Sequence, residues 1–305
     1  MREIARDSAV RVRNTIRQRD KRALANNRDY YRLVHPSAVG YGVADLARED
    51  LKRLLDDANL PLQEAVETIK QTRSTVVAKA RLSLLGEPAL VAYKRARYKH
   101  WWKALLAVFR RSRSLRAWYL GHALLQRGIA TARPVCVCEP RRRGLRWESY
   151  LAAEWIDGED LQAFVQRIRD ASPGARWAKA RDAAVTLGRL LGRMHAWHVA
   201  HRDLKAANLM VVDRGEQIEA YLIDLDGVRL LRRISPRRRA RNLARLAASI
   251  AAHPWVTRTL RLRFLHAYLE ELPESQRDWK ALCKEVERHT RAITGQMRRR
   301  GQPLH

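Results

Sequence analysis

The chain has 305 residues, 46% hydrophobic and 30% charged, a balance that suits a folded protein with a large buried core and excludes a disordered one. Its 61 Lys and Arg against 32 Asp and Glu leave a formal net charge of +29, which points to an anionic partner (nucleic acid, an acidic membrane surface or a polyanionic substrate) or, more plainly, to Arg-rich solvated faces. No window has the apolar length of a membrane span, the charged stretch from Met1 to Arg22 reads neither as a signal nor as a transit peptide, and Cys136, Cys138 and Cys283 lack metal or redox spacing; a soluble or peripheral protein with reduced thiols is expected.

Residues 1–71 read as a basic, helix-leaning extension, crowded at its start by Arg2, Arg6, Arg11, Arg13, Arg17, Arg19, Lys21 and Arg22. Leu51, Leu54 and Leu55 share one side of a short amphipathic turn, and Pro36 with Gly40-Tyr41-Gly42 reads as a loop between two helical pieces. The extension is either an arm for an anionic surface or a solvated segment packed on the first lobe.

From Thr75 the period changes to that of a strand, Gly86-Glu87-Pro88 makes a turn, and Leu90 to Lys94 forms a second strand. Val91-Ala92-Tyr93-Lys94 fits the V-A-I-K pattern, in which a strand-borne Lys reaches the α- and β-phosphates of ATP. Tyr98, Trp101, Trp102, Leu105 and Phe109 then fall on one side of an amphipathic helix whose other side is basic, suited to packing on the sheet or to a membrane interface. Ser114 is the candidate cap of a further helix running to Gln126 and closed by Gly128.

Pro134 to Cys138 and Ser149 to Trp155 read as two more strands. The second runs into Glu154-Trp155-Ile156-Asp157-Gly158, a hinge whose backbone groups at Glu154 and Ile156 suit an adenine edge. Asp160 is the expected cap of a helix carrying Leu161, Phe164, Val165 and Ile168, and a longer helix over 178–194 leads toward His201.

His201-Arg202-Asp203-Leu204-Lys205-Ala206-Ala207-Asn208 matches the phosphoryl-transfer loop H-R-D-L-x-x-x-N at every specified position. In that chemistry an Asp orients and deprotonates the acceptor hydroxyl and an Asn holds Mg²⁺, so both must project from one tight loop. Asp203 is the candidate base, Lys205 the cation on the transferring γ-phosphoryl group, and Asn208 and Asp224 the Mg²⁺ ligands, the latter ending the apolar strand Tyr221-Leu222-Ile223. His201 and Arg202 read as structural members of the loop. Asp226, where a Gly is usual, is either a second metal contact or a partner for arginines.

Two features depart from a protein kinase. Between Pro88 and Cys138 there is no Asp or Glu, so the helix that should supply a carboxylate to Lys94 has none; Asp224 is the alternative partner, and an inactive pseudokinase stays open. After Asp224 no A-P-E platform for a peptide follows, only Arg229, Arg232, Arg233, Ser235-Pro236 and Arg237-Arg238-Arg239. Arg229, Arg232, Arg233 and Arg237 are candidates for binding a carboxylated or phosphorylated acceptor, against the alternative of a solvated basic helix start. Residues from Trp255 to Ala292 read as helical, with Leu260, Phe264, Leu265 and Tyr268 inward.

V-A-Y-K at 91–94, L-L-Q-R-G-I-A-T-A-R-P at 124–134, E-W-I-D-G at 154–158, H-R-D-L-K-A-A-N at 201–208 and I-D-L-D-G-V-R at 223–229 together resemble the lipopolysaccharide kinase family, the Kdo (3-deoxy-D-manno-octulosonic acid) and core-heptose kinases. The resemblance spans about residues 72–270. It implies an α+β, bilobal, protein-kinase-like fold, a small antiparallel-sheet lobe over 72–155 and a mostly helical lobe over 156–305, which follow the basic helical N-terminal extension over 1–71 read from the residues themselves. It also implies ATP and Mg²⁺ as cofactors, a sugar hydroxyl on an anionic glycolipid as acceptor, and a cytoplasmic location, peripheral at the inner face of the inner membrane. A membrane-surface binding module and a kinase acting on protein are the rival readings. Nucleic acid is not expected, since neither zinc-finger spacing nor an RNA-recognition signature is present.

Overall fold

The computed structural model describes residues 15–16, 18–98, 111–141, 144–253 and 255–300; the arginines within 1–14 and the amphipathic helix expected over 98–109 fall outside them but for Tyr98. The chain divides into two compact units, residues 1–127 with 132–155, and residues 128–131 with 156–305.

The first unit is built on a seven-stranded antiparallel sheet in the order β1-β2-β6-β7-β5-β4-β3. The strands are β1 (Tyr30–His35), β2 (Ala38–Val43), β3 (Glu67–Thr72), β4 (Thr75–Leu84), β5 (Glu87–Arg97), β6 (Pro134–Pro140) and β7 (Glu148–Glu154). In β4, Val76, Ala78 and Ala80 alternate inward, the period-2 signature of a half-buried strand. Leu85 and Gly86 join β4 to β5 with φ of 54° and 84°, the paired positive φ that a two-residue type I′ hairpin needs. Helix α1 (Arg48–Asp56) buries Leu51, Leu54 and Leu55 together, as their spacing predicts. Helix α2 (Leu60–Gln63) is a single turn, and helix α3 (Arg113–Leu125) packs on β6 and β7 and touches β5.

The sequence reading is corrected in three places here. Residues 30–43 are two paired strands, and residues 67–72 are the edge strand β3, where helical pieces and a loop were expected. The glycines that suggest a loop are packing glycines within β2: a Cβ on Gly42 would lie 2.7 Å from the Tyr31 ring, and one on Gly40 would lie 3.0 Å from Leu55. β3 is exposed at every residue and so carries no apolar alternation to read. The cap of α3 is Ser112, whose side chain accepts from Leu115 N at 3.0 Å, while Ser114 is buried inside the first turn.

The second unit is mainly helical: α4 (Leu161–Arg169), α5 (Pro173–Ala196), α6 (Pro236–Ser249), α7 (Arg258–Glu270) and α8 (Trp279–Arg299). Asp160 caps α4, its carboxylate accepting from Ala163 N at 2.9 Å. α5 packs along α7, and α6 along α8. Two small sheets sit among them, β11 (Ile218–Leu222), β10 (Leu209–Asp213) and β8 (Glu159–Asp160) in one, β12 (Val228–Leu230) and β9 (Val199–His201) in the other.

Because the Tyr31 ring fills the space over Gly42, Gly42→Ala lowers the free energy of unfolding by about 1–3 kcal/mol, read from urea denaturation followed by tryptophan fluorescence; unchanged stability refutes the packing role.

Candidate active site

The phosphoryl-transfer loop starts on β9, a three-residue strand with too few ladder bonds to hold itself in place. β12 pairs with it on one side, Val228 opposite His201. On the other side Asn242 of α6 takes over the work of a third strand: its Oδ1 accepts from His201 N at 3.1 Å and its Nδ2 donates to His201 O at 2.8 Å. That pairing fixes the amide orientation. Oδ1 therefore also accepts from His195 Nε2, at 3.2 Å, and His195 Nδ1 accepts from the Tyr268 hydroxyl at 2.8 Å. Burial, with the charge of Arg239 adding to it, holds His195 down at about 3, so the ring is neutral and has one donor and one acceptor for this chain.

From His201 onward, anchored residues alternate with projecting ones. Leu204 and Ala206 are fully buried, and Ala206 N donates to Ser249 Oγ at 2.8 Å. Asp203 before Leu204 and Lys205 after it project, their side chains 59% and 48% exposed and 3.4 Å apart. Asn208 Nδ2 donates to Asp203 O at 2.7 Å, which turns Oδ1, the atom able to hold a cation, away from the loop backbone.

The β10–β11 hairpin then returns the chain beside its own start: Leu209 pairs with Leu222, and Ile223 N donates to Asn208 O at 3.0 Å. Asp224 follows in the left-handed region, φ 56° and ψ 70°, and its carbonyl accepts from His201 Nε2 at 3.0 Å. Arg202 N donates to Gly227 O at 2.8 Å. Gly227 is required by the histidine, since a Cβ there would lie 2.6 Å from His201 Cε1. Asp203, Lys205, Asn208 and Asp224 thus belong to one hydrogen-bonded assembly, with His201 as its brace. Among the described residues no cluster of three His, Cys, Asp or Glu is able to hold a metal alone. One amide oxygen and one carboxylate are hard-oxygen donors that suit Mg²⁺ when phosphate oxygens complete the shell.

The arginines separate. Arg229 lies on β12 opposite Ala200 and is exposed, as are Arg232 and Arg233 just beyond it. Arg237 is also exposed, but its charge bears on α8: Arg288 and, among the nearby cations, Arg237 hold the Glu285 carboxyl below its usual range. Arg239 corrects the reading of a uniform solvated cluster, being buried with Nη1 on Gln276 O at 3.3 Å and on Gln276 Oε1 at 3.2 Å.

The remaining predicted residues belong to the sheet and its end. Lys94 sits on β5 between Val77 and Leu151, half-buried, with Tyr93 beside it facing the core and bonding Ala58 O at 2.9 Å. Glu154 ends β7; its carboxylate takes Arg133 at 2.7 Å and its N–H donates to Arg133 O at 2.8 Å, while Arg133 also reaches Asp45 at 2.7 Å. Ile156 O accepts from Gly158 N at 3.0 Å in the other unit. Sequence reasoning missed Asn242, His195 and Tyr268. The readable signal was Asn242, a polar residue on the stripe of α6 that Ala240, Leu243, Ala244 and Leu246 turn inward.

His195 gives a pH test. Its pKa is lower folded than unfolded, so the unfolded chain takes up the proton first; this stability is fully present above about pH 6.5 and is lost as pH falls toward 3. Between pH 7 and pH 5 the loss attributable to His195 is about 2 kcal/mol, measured as the difference in pH dependence between the wild-type chain and His195→Gln. A parallel pH profile in the variant overturns the assignment.

A family model described as the lipopolysaccharide kinase (Kdo/WaaP) family matches residues 62–285. A 3-deoxy-D-manno-octulosonic acid kinase of Xanthomonas campestris pv. campestris is 34% identical over 141 residues, 46% of this chain and 51% of the relative. Enzymes with the same name from Stenotrophomonas maltophilia and Xylella fastidiosa are 32% identical over 141 residues and 29% over 140, each again covering 46% of this chain and 51% of the relative. The matched stretch therefore spans about half the length of these curated relatives. A solved structure, WaaP in complex with acyl carrier protein, superposes with a TM-score of 0.54 at 23% identity over 81% of this chain and 98% of that one, which establishes a shared α+β kinase-like fold. With most of its length matched by the family model, the chain belongs to the lipopolysaccharide kinase (Kdo/WaaP) family.

Proposed function

We propose that the chain is an ATP-dependent phosphotransferase acting on a sugar hydroxyl of a lipopolysaccharide core, Kdo or heptose, or of a similar anionic glycolipid. The observation that carries this reading is the hydrogen bond from His201 Nε2 to Asp224 O, which ties the segment bearing Asp203, Lys205 and Asn208 to the segment bearing Asp224. Phosphoryl transfer depends on positioning and electrostatics more than on covalent chemistry, and a braced loop supplies positioning.

Asp203 orients the acceptor hydroxyl and accepts its proton. Lys205 faces the negative charge of the transferring group. Lys94 is assigned to the α- and β-phosphates, and the backbone of Glu154 and Ile156 to adenine, with the Glu154 carbonyl as the recognising group because its N–H already serves Arg133. Asn208 Oδ1 and the Asp224 carboxylate would hold Mg²⁺, which when bound neutralises charge on the phosphates. Arg229, Arg232 and Arg233 receive the carboxylate or phosphate of the acceptor. Arg237 stays a candidate for the rim of that site, although its charge is shared with α8.

A net charge of +29 supports peripheral attachment to an anionic membrane at its cytoplasmic face. No helix among the described residues is long and apolar enough to cross a membrane.

Asp203→Ala lowers kcat for phosphorylation by about 10²–10⁴-fold and leaves thermal stability close to wild type, because the side chain is 59% exposed. Retained turnover in that variant sinks the role of Asp203. Mass spectrometry of cell-envelope glycolipid from deletion and wild-type strains reports the acceptor: loss of one phosphate names the sugar, and an unchanged glycolipid favours the pseudokinase reading.

A further inference from the structure

Helix α3 carries no acid, and none occurs between Pro88 and Cys138, so this helix has no carboxylate of its own for Lys94. What fixes it instead comes from the chain's beginning. Asp20 and Arg127 form a two-pronged ion pair, Nη1 to Oδ1 and Nη2 to Oδ2, both at 2.7 Å, with side chains only 1% and 6% exposed. Arg127 lies just past the end of α3 and also donates to Ala123 O inside it. A turn earlier, Trp118, fully buried, donates its indole N–H to Ala23 O at 2.7 Å. Tyr30 closes the row, its hydroxyl 3.3 Å from His122 Nδ1 and its ring edge-on to Trp118 and His122 at 5.9 Å and 4.7 Å.

Residues 20–30 thus hold α3 at Trp118 and His122, one turn apart, and at Arg127 just past its end, while the helix packs on β6, β7 and β5, the strand that bears Lys94. Removing both members of so buried an ion pair from water is costly, so the pair adds little net stability and much geometric definition, whereas breaking it strands a charge. Residues 20–30 also lie outside the 62–285 stretch that the family model matches.

We propose that residues 20–30 are a clamp in cis that positions α3, and through it the strand bearing Lys94, in place of the carboxylate the helix lacks; Asp20 and Arg127 are positioning residues. The consequence for nucleotide rests on the kinase reading above.

The test uses the full chain with Asp20→Asn. The KM for ATP rises about tenfold while kcat stays within about twofold, Asp20→Glu recovers most of the difference, and the amides of residues 113–125 exchange deuterium about tenfold faster than in wild type. A fall in thermal stability with unchanged KM, or unaltered exchange across 113–125, overturns the proposal. If Asp20→Asn does not fold, Trp118→Phe removes the bond to Ala23 O together with part of the buried indole; there, faster exchange confined to 113–125 supports the clamp, and unchanged exchange, or faster exchange spread through the sheet as well, refutes it. Absence of ATP turnover in the wild-type chain defeats the proposed function alone, since the exchange measurement still decides the clamp.

Discussion

The second unit depends on one carboxamide. β9 is three residues long and meets a strand on only one side, so without Asn242 the His201 peptide would present an unpaired donor and acceptor in a buried place. Each such group left unmade costs about 1–3 kcal/mol. Asn242 satisfies both at once, and the neutral His195 and the Tyr268 hydroxyl behind it satisfy Asn242. Everything the loop projects inherits its position from this arrangement. His201 can reach the Asp224 carbonyl because its own peptide is pinned, and Gly227 stays without a side chain because the ring occupies that space. A buried polar network of this kind confers precision when every member is paired.

The first unit solves a different problem. Its sheet is extended by β1 and β2 on the β6 side, and the residues leading into that hairpin hold α3. The contacts observed at α3 are buried, apolar and charged together.

Much of the candidate site was legible because the phosphoryl-transfer pattern specifies residue types at fixed short spacings. Eight consecutive positions from His201 to Asn208, an acid after an apolar strand, and a strand-borne Lys94 are local patterns, and local patterns survive in one dimension. The alternation of β4 and β5, the cap at Asp160 and the leucine side of α1 were legible for the same reason. What escaped depends on distant partners. Gly40 and Gly42 look like turn residues until Leu55 and the Tyr31 ring are seen against them. β3 shows no period because neither of its faces is buried. Asn242 lies on the inward stripe of α6, but only packing shows that it braces His201, and Arg239, in a polybasic run, is seen to be buried only against Gln276. Asp20 finds its partner across 107 residues of sequence.

The net charge of +29 takes on a more definite meaning once the arginines are sorted by what they touch. Arg127, Arg133, Arg193 and Arg239 are fasteners between segments: the fork of Arg127 takes Asp20, Arg133 bridges Asp45 and Glu154, Arg193 joins Glu271 to Gly128 O, and Arg239 takes Gln276. Guanidinium is suited to this because it stays charged and offers donors in a rigid plane. Three of these residues meet carboxylates, and the charge of the fourth, Arg239, acts inside the fold, on His195 and Tyr268. Arg229, Arg232 and Arg233 are exposed and follow directly on the strand that pairs with β9. Positive charge is therefore tied, through one ladder of backbone bonds, to the loop that carries Asp203. A field anchored there moves with the loop, because Arg229 sits opposite Ala200, one residue before His201.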